Sequence, residues 1–267
     1  MYMLKMFVAM LLCFVYAGAK ELSPVLFAPY EKADTVEKKL ADGGFSVVAI
    51  YHSLPQSTTI VYTDETLKSE GAKKNRAFIA VMKVFVDDKE QKVSASNPLY
   101  FGKAFMQDDY NDKAFKKERS KLEKALGALT PSKDKLDEDD LDGYHFMMGM
   151  PYYEDQLEVA EGSSDKLLAK LKSYEGGKHV LFVLPLSGGS TLVGYDLSDK
   201  TEKFADKIGR ANASLLPWTI KLEESKVTIL HPKYYIAISY PELSMGDFMG
   251  ISSVPGEIED EIEAAFK

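Results

Sequence analysis

Cysteine is all but missing. The 267-residue chain has one, Cys13, along with a single tryptophan and four histidines. An internal disulfide framework is therefore excluded, as are iron-sulfur clusters and cysteine-rich zinc sites. The histidines, His52, His145, His179 and His231, fall in no HExxH or HxH pattern, so a zinc hydrolase has no support. GxSxG is absent too, and the sequence places no histidine beside Ser187 or Ser190 as a catalytic partner. Positive charge is also short: 33 Lys and Arg face 41 Asp and Glu, for a formal net charge of −8. Lysines alternate with acids, as in FKKERSKLEK, which leaves no basic stripe for a phosphate backbone. Nucleic-acid binding is not expected.

Long apolar runs are scarce as well. The stretch from Met6 to Tyr16 is about a dozen residues, shorter than the roughly 20 that cross a bilayer. It follows Lys5 and ends in the small-x-small sequence Ala17-Gly18-Ala19, the pattern of a cleaved secretory signal. Leu12 before Cys13 does not suit a lipoprotein signal. Residues 1–19 are thus expected to be a signal peptide and the protein to be periplasmic or secreted. Removal of that segment would take away the lone thiol and any hold on a membrane.

The remainder reads as a folded protein, with 45% hydrophobic and 28% charged residues over the chain. One series of signals occurs twice. SPVLFAPYEKADTVEKKLADGGFSVVAIY is matched by YHFMMGMPYYEDQLEVAEGSSDKLLAKLKSYEGGKHVLFVL, each an apolar stretch ending in Pro-Tyr, a helical segment, Gly-Gly and a strand. LPQSTTIVYTDETLKSEGA is then matched by LSGGSTLVGYDLSDKTEKFADKIG. FIAVMKVFVDDKEQKVSASNPLYFGKAF follows, matched by LLPWTIKLEESKVTILHPKYYIAISY, with VDDKEQKV and LEESKV as the turns of a final hairpin. Amphipathic helices KAFKKERSKLEKAL and GEIEDEIEAAF close the two series. The expected architecture is α+β: two similar tandem domains, 20–128 and 143–267, joined by an acidic linker at 129–142. Each would have an antiparallel or mixed sheet with helices on one face.

The order helix, GGFSVVAIY, strand, helix, and then LLPWTIKLEESKVTILHP resembles the domain of unknown function 302, present here in two tandem copies. The resemblance implies a compact α+β domain and no established chemistry. Many members of that family carry a cysteine after the Leu-Pro, where this chain has Trp218, so thiol chemistry is not implied.

Candidate sites follow from the repeat. In GYHFMMGMPYYEDQ, residues 143–156, thioethers and an imidazole would suit copper, with His145, Met147, His231 and Met245 as the metal candidates. The matching SPVLFA has neither His nor Met, so HFMMGM is expected to be an apolar core strand. His231 and Asn97 each stand before a proline at a strand end, where they are expected to satisfy turn hydrogen bonds. The glycines of LSGGST are followed by a strand and no Lys-Ser/Thr, so they mark a hairpin turn and not a phosphate loop. Aromatic residues gather in the second copy. Tyr152, Trp218, Tyr234 and Tyr240, with His231, are the candidates to line an interdomain cleft for a flat ligand such as a heme or quinone. The 240–254 segment has no counterpart in the first copy and is the expected functional insertion. The expected function is a non-enzymatic binding or accessory protein with a small-molecule or protein partner; the alternative is a periplasmic copper- or heme-handling protein.

Overall fold

The computed structural model describes residues 20–267, so the expected signal peptide lies outside the described residues. A short strand, β1 (Glu21–Leu22), comes first. The first half then runs β2 (Val25–Ala28), α1 (Ala33–Asp42), β3 (Ser46–Tyr51), β4 (Ser57–Thr63), α2 (Glu65–Gly71), a 3-10 turn (Ala77–Ala80), β5 (Met82–Asp87), β6 (Lys92–Ser96), α3 (Pro98–Met106) and α4 (Asp112–Leu126). Two short strands follow, β7 (Thr130–Pro131) and β8 (Leu136–Asp137). The second half runs β9 (Leu157–Glu161), α5 (Ser164–Ser173), β10 (Val180–Pro185), β11 (Thr191–Tyr195), α6 (Asp199–Glu202), α7 (Phe204–Lys207) and a 3-10 segment (Arg210–Leu215). It ends with β12 (Trp218–Glu223), β13 (Lys226–Ile229), α8 (Pro232–Ser239), α9 (Met245–Gly250) and α10 (Val254–Ala264). The fold is α+β, as the sequence leads one to expect. Among the described residues no helix is long and apolar enough to cross a membrane.

The main sheet of the first half has the order β3-β4-β5-β6-β2-β7, and that of the second half β10-β11-β12-β13-β9. Apart from β7, the two orders are the same when strands are counted within each half. Every pairing is antiparallel. One irregularity also corresponds: the first hairpin of each half carries a register shift, between Val47 and Ala49 and between Val180 and Phe182, whereas the shift between β13 and β9 at Val227 and Thr228 has no equivalent between β6 and β2.

Four segments differ from expectation. Residues 143–156 are irregular and pair with no strand; the strand that occupies the position of β2 in the second half is β9, LEVAE. HFMMGM has the apolar content of a strand but not its setting, since Met148 is 95% exposed and Gly149 has φ +84. The match of Pro29-Tyr30 to Pro151-Tyr152 placed the strand too early. LEVAE instead alternates, and Glu158 on its outer side pairs with Lys226 of β13. The tails of the expected hairpins, NPLYFGKAF and HPKYYIAISY, are likewise helical. Pro98 and Pro232 sit in the first turns of α3 and α8, where a missing N–H costs nothing. The side chains of Asn97 and His231 accept from the N–H groups of Leu99 and Lys233, so both residues cap a helix. The 129–142 segment is docked: β7 pairs with β2, β8 with β1, and Leu141 is buried.

In the first half α1 rests on β3 and β4 with α4 packed on it; in the second, α5 rests on β12 and β13, and α10 on β9. Yet β4 and β5 are buried along their whole length, which requires cover on both faces. The second cover is the other half of the chain. Its 3-10 segment lies on β5 and β6, while the 77–80 turn lies on β11 and β12. Side-chain alternation sends Val84 and Val86 of β5, and Ile220 and Leu222 of β12, into the core on the face of each strand opposite the seam. Lys83 and Asp87, and Thr219, Lys221 and Glu223, point into the seam between the halves, as their partners across it show.

Contact across the seam is close at Gly188, in the β10–β11 turn. A Cβ there would lie 1.8 Å from the carbonyl oxygen of Ala72, at the end of α2. Next to it, Gly189 has φ +86 but open space around its Cα. Steric demand from the neighbouring half therefore outweighs local backbone strain in this turn. We expect Gly188→Ala to lower stability by about 3 kcal/mol, near the upper range for overpacking, and Gly189→Ala by about 1 kcal/mol. Chemical denaturation of the two variants checks the order.

Candidate functional site

Of the residues expected to line an aromatic cleft, Trp218 and Tyr234 are packed edge-on against neighbouring rings. Trp218 packs edge-on against Tyr235 at 5.1 Å between centroids, and Tyr234 meets Tyr153 at 6.1 Å and Tyr144 at 6.4 Å. Phe105 of the first half stacks on Tyr153 at 5.6 Å. Trp218, Tyr234 and Tyr240 are buried, while Tyr152 is 47% exposed on the outside. Other tyrosine hydroxyl groups stitch the halves: Tyr100, in α3, donates to the carbonyl of Ile238 at 2.7 Å and Tyr153 to that of Asn75 at 2.7 Å. What remains between them is a cavity of about 30 Å³, bounded by Met82, Lys83, Phe105, Thr219 and Tyr235 among others. That is room for one or two water molecules. A flat macrocycle would have to displace the aromatic packing.

Lys83 occupies one wall of this cavity, only 4% exposed. Its Nζ donates to the carbonyls of Leu215 at 2.5 Å and Pro217 at 2.7 Å, and to the Tyr235 hydroxyl at 3.1 Å. Burial pushes the amine down to about 7. The group ties β5 to the loop before β12. Its signal in the sequence is a lone lysine inside the apolar run FIAVMKVFV.

An open cleft lies further along the seam, with a volume of about 690 Å³. The β3–β4 turn, residues 52–58, and Asp88 form its wall in the first half; Asp199, Glu202, Lys203 and Asp206 of α6 and α7 form the wall in the second. Arg210 ties the two walls. Its guanidinium donates to both carboxylate oxygens of Asp87, each at 3.0 Å, and to the Pro55 carbonyl at 2.8 Å. His52 turns its Nδ1 to the Ser57 carbonyl at 3.0 Å, and Asp88 accepts from Tyr30 at 2.7 Å and Lys32 at 3.1 Å.

Glu202 is the outlier among the lining residues. It is 6% exposed, and its buried Oε1 has no hydrogen-bond partner. Burial, and then the nearby Glu261, push its carboxyl up to about 8. The Glu261 carboxylate is itself occupied by the N–H and hydroxyl of Ser198 and by Thr201. The first half has a similar acid in α4: Glu118, raised to about 7 by burial and by Asp64. No residue pattern announces Glu202, because its helix is a single turn in a polar stretch.

The metal candidates do not converge as one set. His231 is held as the cap of α8, with burial lowering its affinity for a proton. His145 lies against the Tyr152 ring at 4.5 Å, and Met147 and Met245 are on the outer surface. Among the described residues no three His, Cys, Asp or Glu side chains form a metal-holding group.

Glu202 gives a stability signature. An acid whose pKa is raised by folding contributes stability fully present below its ordinary pKa of 4.5 and lost as pH rises through about 8. Glu202→Gln, which cannot ionise, is expected to match the parent protein near pH 4.5 and to exceed it by roughly 2–4 kcal/mol at pH 9. Urea denaturation at the two pH values reads the difference. Comparisons of this chain with protein-family models, curated proteins and solved structures found no match in any of the three.

Proposed function

We propose that the protein is an exported, non-enzymatic binding protein that holds a small organic cation in the cleft between the 52–58 turn and α6–α7. The observation that carries this reading is Glu202: a carboxyl buried at the cleft with an oxygen lacking any partner. Such a group is costly unless something completes it. Asp199 and Asp206 add negative charge on the same wall, with Lys203 the one lysine in the lining. The cleft volume falls in the range of small-molecule sites and is far larger than one metal ion needs. A primary amine or guanidinium offers the charge and the N–H donors that Oε1 lacks.

Two broader parts of the reading rest on sequence and topology. The matching strand orders support descent of both halves from one unit, and its kinship with the unknown-function 302 domain rests on the sequence pattern alone. Export rests on the signal-like first 19 residues. A duplicated unit explains why the cleft lies at the seam, since a seam is the one place where the two copies build something neither has alone.

Because ligand charge favours ionised Glu202, binding should release a proton below pH 8. With 1,4-diaminobutane as the probe in isothermal titration calorimetry, affinity is expected to rise by up to tenfold per pH unit between about pH 6 and 7.5. In Glu202→Gln the affinity is expected to fall at least tenfold at pH 8.5 and to lose its pH dependence. Equal affinity of variant and parent at pH 8.5 overturns the assignment, as does failure of every member of a panel of primary amines and guanidines to bind.

A further inference from the structure

The two walls of the open cleft differ in charge. On the second-half wall Asp199, Glu202 and Asp206 stand against one lysine, Lys203. The first-half wall contributes Asp88, and the Lys32 ammonium, 3.1 Å from its Oδ1, balances that charge. A ligand cation is therefore drawn to the α6–α7 side, and the 52–58 side suits an uncharged polar group.

The polar atoms of the 52–58 turn show what that group is. Ser57 Oγ donates to the Leu54 carbonyl at 2.8 Å and the Pro55 carbonyl accepts from Arg210 at 2.8 Å, so both are used within the protein. His52 Nδ1 lies 3.0 Å from the Ser57 carbonyl, which only accepts; Nδ1 thus carries the proton of the neutral ring, and Nε2 is left as its acceptor. His52 is exposed, and among the described residues nothing bonds to that Nε2. Ser53 Oγ, by contrast, is buried and has no partner. It repeats on this wall the condition of Glu202 Oε1 on the other: a polar atom out of water, on a residue that lines the same cleft, with nothing to bond to. Such an atom lowers stability until a group completes it. A hydroxyl group suits the 52–58 wall, since it can donate to an imidazole nitrogen or accept from a serine without taking a charge out of water.

We infer that the ligand is an amino alcohol, a small molecule whose ammonium group meets Glu202 and whose hydroxyl group, at its far end, is bound by Ser53 Oγ and His52 Nε2. The inference rests on the reading of Glu202 as the cation site. It makes Ser53 and His52 the residues that select the ligand's second group, whereas the acidic wall would accept any amine.

Calorimetry at pH 8.5 with ω-amino alcohols of three to six carbons, each paired with the n-alkylamine of the same length, reads the second group apart from the first. In the parent the best amino alcohol is expected to bind about tenfold more tightly than its alkylamine. It is also expected to bind more tightly than the diamine of the same length, which brings a second charge to the neutral wall. Ser53→Ala combined with His52→Asn is expected to reduce the preference for the hydroxyl to less than twofold and to leave alkylamine affinity unchanged; Asn keeps an N–H for the Ser57 carbonyl. Glu202→Gln is expected to weaken amino alcohol and alkylamine alike. Alkylamines that bind the parent as tightly as every amino alcohol, a diamine that outbinds its amino alcohol, or a preference that survives in the double variant each overturn the inference and leave the cation site standing. If no amine of any series binds, the cation site falls and this inference falls with it.

Discussion

A β-sheet has two faces, and in each half of this protein the half's own helices cover only one of them. The strands β4 and β5 are buried on both faces, so the other half must supply the second cover. That requirement makes the two halves one body with a single continuous core. It also places strand residues that would face water in an isolated domain inside an interface, where every polar atom needs a partner.

The seam meets that demand with long polar side chains. Lys83 reaches across to two carbonyls and a tyrosine, and Lys221 reaches Asn75, whose N–H is taken by Glu223. Asp87, at the end of β5, grips Arg210 of the second half; Glu223, at the end of β12, grips the residue beside Arg76 of the first. The two contacts answer one another, as they would in a pair of like units facing across an axis. At Gly188 the approach is so close that no side chain fits. Where the halves diverge beyond Arg210, the seam opens into the acidic cleft, and there one buried carboxyl, Glu202, is left with an unmatched oxygen.

Away from the seam, the second half departs from the first in two places, and those places meet. The Phe146–Phe248 stack buries what would otherwise be two solitary aromatic side chains and leaves the flanking methionines outside. Neither segment is needed to complete a sheet, since both sheets have the same strands without them. Freedom from a packing role is what allows four thioethers to remain at the surface.

By itself the sequence determined the α+β class, the two main hairpins of each half and the closing helices. These depend on residues near one another in the chain: the short apolar runs VLFVLP and TLVGY, the turn residues in VDDKEQKV, and the apolar spacing of KAFKKERSKLEKAL. It misled at HFMMGM, because apolar content alone cannot tell a core strand from an exposed loop, and at HPKYYIAISY, where aromatic content resembles a strand's. Only the tertiary structure decided that Tyr100 and Tyr153 bond across a seam, that Lys83 spans it, that Gly188 is glycine because of Ala72, and that Glu202 is buried beside an open cleft. The reason is physical. Periodicity reports which side of an element is apolar, whereas burial of a charge or the crowding of a glycine depends on a surface more than a hundred residues away in the chain.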